Sequence, residues 1–153
     1  MKSFDTSLDF TQIAANVLKD EAKSLLDSAS SLPQVLPNTA LKNIVSIILD
    51  STSQGGKLII TGVGKSGHIG SKIAATLAST GTPSFFLHPT EALHGDLGMV
   101  SQNDIVLAIS YSGTSSEVLA IIPHLKKRAK ALITMSKAKD SALSEYRDRK
   151  SVV

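Results

Sequence analysis

The stretch "KLIITGVGKSGHIG", residues 57–70, decides the fold class of this chain. It begins with a continuous apolar run, which is typical of a strand buried on both faces of a parallel sheet. A turn rich in glycine follows, and Ile69, Ile73 and Leu77 then recur at helical spacing. The stretch therefore predicts a strand, a tight turn and a helix that opens near Ser66.

The remainder of the chain repeats this alternation of strand and helix. A helix is expected from about Ser115, with Pro123 inside it as a kink or a lost backbone bond. Strands alternating with helices predict right-handed βαβ units and therefore an α/β fold with a parallel sheet. Three further strands and a closing helix are expected at "SFFL" (84–87), "DIVLAIS" (104–110), "ALITMS" (131–136) and "SALSEY" (141–146).

Two helical segments precede this alternating region. Between residues 9 and 32, Ile13, Val17, Leu18 and Leu25 recur at helical spacing, and we expect Pro33 to close the helix. A second helix is expected from Asn38 to about Ser53, before the pair Gly55-Gly56.

Composition excludes several classes of function. The 153 residues are 42% hydrophobic, as in a globular domain, and the net charge is only +3. Aromatic residues are 4% and Trp is absent, which argues against a nucleic-acid partner that binds by base stacking. Cys is absent, so thiolate chemistry is excluded. The longest apolar run, "IVSIILD", is too short to span a bilayer, and we expect a cytoplasmic protein with no membrane partner.

Three loops rich in functional side chains are predicted to meet at one edge of the sheet. They are residues 62–67, 88–96 and 110–117, and each follows a predicted strand. Ligands of open α/β sheets bind at the carboxyl ends of the strands, where the strand order reverses. We therefore expect a ligand site formed by these loops.

The glycine turn allows three interpretations. A P-loop would need glycine where Ile59 stands, inside the strand. A dinucleotide site fits the pattern G-x-G-x-x-G in "GVGKSG", but it requires an acidic residue at the end of the second strand, which ends in His88. A site for a small phosphate or phosphosugar needs only a helix N-terminus with free backbone N–H groups and hydroxyl donors, and we favour it.

The second loop repeats this chemistry in "SYSGTSSE", residues 110–117. Four hydroxyl groups surround a glycine just before a helix, which exceeds the needs of helix capping. We assign phosphate or substrate binding to Gly64, Ser66, Gly67, His88, Ser110, Ser112, Gly113, Thr114 and Ser115.

Two longer stretches together carry a family resemblance. "GVGKSGHIGSKIAATLASTGTPSFFLHPTEALHGDLGMV" followed by "AISYSGTSSE" resembles the sugar isomerase (SIS) domain of bacterial arabinose-5-phosphate isomerases, from about Gly56 to Lys137. The resemblance implies a flavodoxin-like three-layer αβα sandwich with a parallel sheet, preceded by N-terminal helices. It also implies homotetramers with sites between subunits, and no nucleotide or redox cofactor. The spacing of the histidines is not that of a metal site, so no metal is expected.

The activity implied by the resemblance is interconversion of D-ribulose 5-phosphate and D-arabinose 5-phosphate, the first step towards the acid sugar Kdo of lipopolysaccharide or capsule. Aldose–ketose isomerisation needs a base, a proton shuttle and positive charge near the developing oxyanion. By resemblance, Glu117 is a proton-transfer group, Lys65 stabilises substrate charge or the enediolate, and His94 serves ring opening or proton shuttling. The alternatives are a non-catalytic phosphosugar-binding module or another SIS isomerase.

The expected organisation has three parts: an N-terminal helical segment (1–55) packing on the SIS domain, a partial SIS domain (56–147), and a non-native tail (148–153). Family members continue past this point with a fifth strand, further catalytic residues and a CBS pair. The ending "DRKSVV" fits none of that continuation.

Overall fold

The computed structural model describes residues 8–137 and 140–146. These residues fall into two compact units, which divide between Pro37 and Asn38. The first unit holds one helix, and the second alternates strands and helices as predicted. In chain order the elements are α1 (Phe10–Val35), α2 (Asn38–Ser53), β1 (Leu58–Thr61), α3 (Gly64–Ser79), β2 (Ser84–Phe86), α4 (Pro89–Leu93), a 3-10 turn (Asp96–Met99), β3 (Ile105–Ile109), α5 (Ser116–Arg128), β4 (Ala131–Met135) and α6 (Ala142–Glu145).

The four strands form one parallel sheet in the order β2-β1-β3-β4. The pairing is in register across the sheet, with Ile59 beside Phe85 on one side and Val106 on the other. The strands coincide with the four apolar runs of the sequence. The prediction of an α/β fold with a parallel sheet is therefore confirmed.

Helices cover both faces of the sheet, because alternate strand residues point to opposite sides. On one face, Ile59 and Val106 pack with Val118 and Ile122 of α5. On the other face, the cluster that contains Ile60 is covered by α2 and α3. The second unit is thus a three-layer αβα sandwich, as expected.

Helix α5 runs through Pro123 without interruption, and the proline side chain is exposed. Proline lacks a backbone N–H, so the predicted loss of one helical hydrogen bond holds while the helix continues.

Helix α1 lies in the first unit. Its N-cap, Asp9, accepts a hydrogen bond from Gln12 N–H at 2.9 Å. The prediction that Pro33 ends the helix is wrong, because α1 continues to Val35. A proline in the last turn removes only its own hydrogen bond, and Leu36 N–H still bonds Leu32 O at 2.8 Å.

The apolar residues that predicted α1 are exposed, from Ile13 at 45% to Leu25 at 72%. In the described part of the chain, no helix has both the length and the apolar character needed to cross a membrane.

Helix α2 belongs to the same compact unit as the sheet. Packing of the whole segment 1–55 on the domain stays a prediction, and the expected tail 148–153 lies outside the described residues.

Candidate functional site

The candidate site lies where the strand order reverses, at the carboxyl ends of β1 and β3. From β1 the chain passes to β2 on one side and later to β3 on the other. This topology opens a crevice between the two loops that follow β1 and β3. The glycine turn and the serine loop (residues 110–115) are those two loops, so the predicted convergence is observed.

The glycine turn comes close to the end of β3. A Cβ at Gly62 would lie 2.8 Å from the carbonyl oxygen of Ile109, so only glycine permits this approach. Helix α3 begins at Gly64, two residues before the expected start near Ser66. Lys65 and Ser66 therefore lie in its first turn, with Lys65 exposed and Ser66 half-buried.

The N-terminus of α3 has no side-chain cap. Its N-cap residue is Val63, which cannot accept a hydrogen bond through its side chain. The first turn contains no acidic residue either. Backbone N–H groups at such a helix start suit an anion, because they are both donors and the positive end of the helix dipole.

The serine loop is ordered by its own hydroxyl groups. The buried Ser110 accepts a hydrogen bond from Gly113 N–H through Oγ at 3.1 Å, and its Oγ lies 3.0 Å from Ser115 Oγ. Ser112 Oγ accepts Thr114 N–H at 3.2 Å and the Thr114 hydroxyl at 3.0 Å. Ser112 and Thr114 are exposed, so a ligand can reach the hydroxyls of both.

Helix α5 also begins at this edge without a side-chain cap. Its N-cap, Ser115, makes no capping hydrogen bond, since its hydroxyl pairs with Ser110 instead. Two helices of 16 and 13 residues, α3 and α5, thus start at neighbouring strand ends with no capping hydrogen bond from the N-cap side chain.

Glu117 stands in the first turn of α5 and is exposed. Its own backbone N–H holds the pKa of the carboxyl below the usual value, and a hydrogen bond from the Ser116 hydroxyl at 3.0 Å acts in the same direction. The carboxylate is therefore ionised at neutral pH, as a base must be.

In the loop after β2, His88 and His94 flank the short helix α4, which packs against α5. His88 is its N-cap and accepts Thr90 N–H through Nδ1 at 3.3 Å; the ring also meets Phe86 edge-on, with centroids 6.4 Å apart. His94 is the C-cap and is exposed. Helix α4 is not among the elements predicted from the sequence, although Pro89 at its first position and Glu91 in its first turn are typical of a helix start.

A cleft of about 340 Å³ opens beside the start of α3. It includes three residues not assigned to substrate from sequence: His68, Ser71 and Phe86. The first two follow Gly64 at i+4 and i+7, a spacing that puts them on one helix face. Among residues 8–137 and 140–146, no three His, Asp or Glu side chains cluster closely enough to hold a metal ion.

The strand order and the loops at its carboxyl edge define a flavodoxin-like α/β domain. The family model of the SIS domain matches residues 52–151. The chain belongs to the SIS domain family.

Known relatives are sugar-phosphate isomerases. The chain is 45% identical over 150 residues to arabinose 5-phosphate isomerase KdsD of Yersinia pestis, covering 97% of this chain and 43% of that protein. It is 53% identical over 111 residues to arabinose 5-phosphate isomerase GutQ of Escherichia coli K12, covering 72% of this chain and 33% of that protein. The chain thus spans less than half the length of these relatives.

A solved structure from Escherichia coli CFT073, in complex with arabinose 5-phosphate, superimposes with a TM-score of 0.65 at 39% identity, covering 91% of this chain and 75% of that chain.

Proposed function

We propose that this chain carries the phosphosugar site of an isomerase that interconverts D-ribulose 5-phosphate and D-arabinose 5-phosphate. One observation carries the proposal: two helices without side-chain caps begin at the crevice between β1 and β3, and the ionised Glu117 lies in the first turn of one of them. The helix starts offer backbone N–H groups that bind a phosphate, and isomerisation requires a base next to the bound sugar.

In this proposal the phosphate binds to the serine loop and the glycine turn. The exposed hydroxyls of Ser112 and Thr114 currently satisfy each other, and a phosphate oxygen would take over one of these bonds. Ser66 and the N–H groups at the start of α3 supply further donors. Of the remaining residues assigned from sequence, five belong to these two loops: Gly64, Gly67, Ser110, Gly113 and Ser115. His88 lines the cleft beside the start of α3.

The chemical step moves one proton between neighbouring carbons. Glu117 removes a proton from C1 of the open-chain ketose, and the electron pair forms the C1–C2 double bond of an enediolate while the C2 oxygen becomes negative. The protonated carboxyl then returns the proton to C2, and a proton passes from the C1 oxygen to the C2 oxygen. The sum leaves an aldehyde at C1, and no electron acceptor is required.

Lys65 and His94 complete the proposed set. Lys65 places a positive charge in the first turn of α3, where it stabilises the phosphate or the enediolate oxygen. His94 exchanges the hydroxyl protons and assists ring opening, for which its exposure at the end of α4 gives access. We further propose that the product serves Kdo synthesis.

We also propose that the protein self-associates. A helix of 26 residues with no buried side chain and exposed leucines at 66% and 72% needs a partner surface to be stable. Leu18→Glu with Leu25→Glu should lower the mass measured by sedimentation, and Lys19→Glu with Lys23→Glu on the same helix is the matched control. An unchanged mass in the leucine variant would contradict this part.

The function is tested by proton NMR of the purified chain with D-ribulose 5-phosphate in D2O. We expect deuterium to enter the carbon next to the carbonyl and arabinose 5-phosphate to appear. Glu117→Gln should still broaden the substrate lines and abolish exchange, whereas Glu21→Gln in α1 should behave like the unmodified chain. Line broadening without exchange in the unmodified chain would support binding alone and contradict isomerisation by this chain.

A further inference from the structure

The serine loop is hydrogen-bonded to the end of β4 and the segment that follows it. This segment, residues 136–143 together with Met135 at the end of β4, comes later in the chain, and residues 138–139 lie outside the described part. Three backbone hydrogen bonds join the loop and the segment: Ser110 N–H to Met135 O at 3.0 Å, Lys137 N–H to Tyr111 O at 3.1 Å, and Leu143 N–H to Gly113 O at 2.9 Å.

The closest approach is between Gly113 and Ser141. Gly113 is buried and has a φ of 68°, in the left-handed region that glycine adopts readily. A Cβ at this position would clash with Oγ and Cβ of Ser141. The serine side chain therefore fills the space that only glycine leaves open.

Ser141 cannot move aside easily. It is 5% exposed and is the N-cap of α6, where its Oγ accepts Ser144 N–H at 3.3 Å. The same Oγ lies 3.2 Å from the hydroxyl of Ser136. Displacing the side chain would break the cap and leave a buried hydroxyl with fewer partners.

A displacement of Gly113 would also displace the start of α5, which carries the proposed base. Its N–H bonds Ser110 Oγ, and that oxygen is paired with Ser115, the N-cap of α5. Glu117 follows two residues later. The position of Gly113 is thus coupled through two hydrogen bonds to the start of the helix that carries the proposed base.

We propose that Ser141 is a positioning residue for the phosphosugar site. It holds Gly113 in the left-handed conformation, and thereby fixes the hydroxyls of Ser112 and Thr114 and the start of α5. Ser141 acts on the loop and not on the substrate. The proposal rests on the proposed function, because that function assigns the serine loop to the substrate phosphate.

The first test compares Ser141→Gly with Ser144→Gly. Both changes weaken α6, since Ser144 Oγ donates to Ser141 O at 2.6 Å, but only the first empties the space beside Gly113. Two quantities are measured for each variant: affinity for D-arabinose 5-phosphate by calorimetry, and hydrogen exchange of the Gly113 and Thr114 amides. We expect Ser141→Gly to weaken binding and to speed exchange by about tenfold relative to Ser144→Gly.

The second test enlarges the side chain at Gly113, whereas the first removes the side chain of Ser141. Gly113→Ala introduces both backbone strain and a collision with Ser141, whereas Gly55→Ala, at a φ of 78° with open space around it, introduces strain alone. We expect Gly113→Ala to lose affinity, and Gly113→Ala combined with Ser141→Gly to regain part of it. Strain alone would not be relieved by the second change.

The outcomes separate the inference from the function. Equal loop exchange in Ser141→Gly and Ser144→Gly would overturn the positioning role, as would a double variant no better than Gly113→Ala. If the unmodified chain binds no phosphosugar, the proposed function fails, and the exchange rates at Gly113 and Thr114 still decide whether Ser141 fixes the loop.

Discussion

At the scale of single residues, the proposed chemistry depends on the hydrogen bonds that the start of α5 donates to the carboxylate of Glu117. A hydrogen bond that donates to the charged form of an acid favours that form and lowers its pKa. Two such donors are present, the backbone N–H of Glu117 itself and the Ser116 hydroxyl. The residue is exposed, so these bonds set its protonation and contribute little to stability.

Replacing Ser116 by alanine should raise the pKa of Glu117 towards the usual glutamate value. The unmodified carboxylate stays ionised until the pH falls below its lowered pKa, so the loss of the charged form should begin at a higher pH in Ser116→Ala. Carbon NMR of the labelled side chain measures this titration directly. Ser79→Ala, in which a hydroxyl bonded to Thr76 O is lost, is the control. A titration that does not move would contradict the assigned cause.

Lys65 gives the second prediction at this scale. Lys65→Met keeps the length of the side chain and removes the charge, so it should weaken D-arabinose 5-phosphate binding by about 10- to 100-fold, the usual effect of losing a hydrogen bond to a charged group. Lys72→Met, on an exposed position of the same helix, should leave binding unchanged. Equal affinity in both variants, measured by calorimetry, would remove Lys65 from the site.

At the scale of elements, the amino ends of the strands are joined by the fully buried Asp104, opposite the candidate site. Its carboxylate accepts Lys57 N–H at 2.9 Å and Ser101 N–H at 2.7 Å, and it lies 3.3 Å from Lys57 Nζ. Its backbone carbonyl also accepts Lys130 N–H at 2.8 Å, just before β4. One residue thereby ties together the starts of β1, β3 and β4.

Asp104→Asn should destabilise the fold by about 2–4 kcal/mol, because an amide cannot accept both N–H bonds and leaves buried groups unpaired. Chemical denaturation measures the change. Asp9→Asn is the matched control: Asp9 is exposed and caps α1, and asparagine caps a helix as well as aspartate does. A loss for Asp104→Asn no larger than the control's would mean that the bonds to Asp104 do not hold the strand starts.

Asp50 links α2 to the start of β4 through Lys130, at 2.6 Å between Oδ2 and Nζ. The hydrogen bond and charge of Lys130 lower the pKa of Asp50 in the folded state. The resulting stabilisation is present above the unfolded pKa and is lost as the pH falls through the folded one. The stability difference between the unmodified chain and Asp50→Asn should therefore disappear in acid. A difference that persists below that range in thermal unfolding would contradict the linkage.

At the scale of the whole molecule, local sequence pattern predicts most of the sheet. Each strand is an apolar run bounded by polar or glycine residues, and α2 and α5 carry their apolar residues at helical spacing. These elements can be predicted because their patterns lie within short stretches of sequence. The predicted end of α1 at Pro33 is wrong, because a proline in the last turn removes only one backbone hydrogen bond and the helix continues to Val35. The start of α3 was misplaced because Gly64 suggests a turn, although it opens the helix with a φ of 55°.

The candidate site was predictable in part for the same reason. A parallel sheet brings all strand carboxyl ends to one edge, so the glycine turn and the serine loop had to meet. The contact between Gly113 and Ser141 could not be foreseen, because it joins residues far apart in sequence and depends on how α6 docks. The packing of α4 against α5 likewise joins residues far apart in sequence.

The most direct measurement for the central claim is a titration of the nitrogen-labelled chain with D-arabinose 5-phosphate, followed by amide NMR. We predict saturable shifts confined to residues 62–68, 88–96 and 110–117, and loss of those shifts when D-arabinose replaces its 5-phosphate, because the phosphate makes the contacts. Saturable shifts centred on any other part of the folded chain, or none at all, would contradict a phosphosugar site at the starts of α3 and α5.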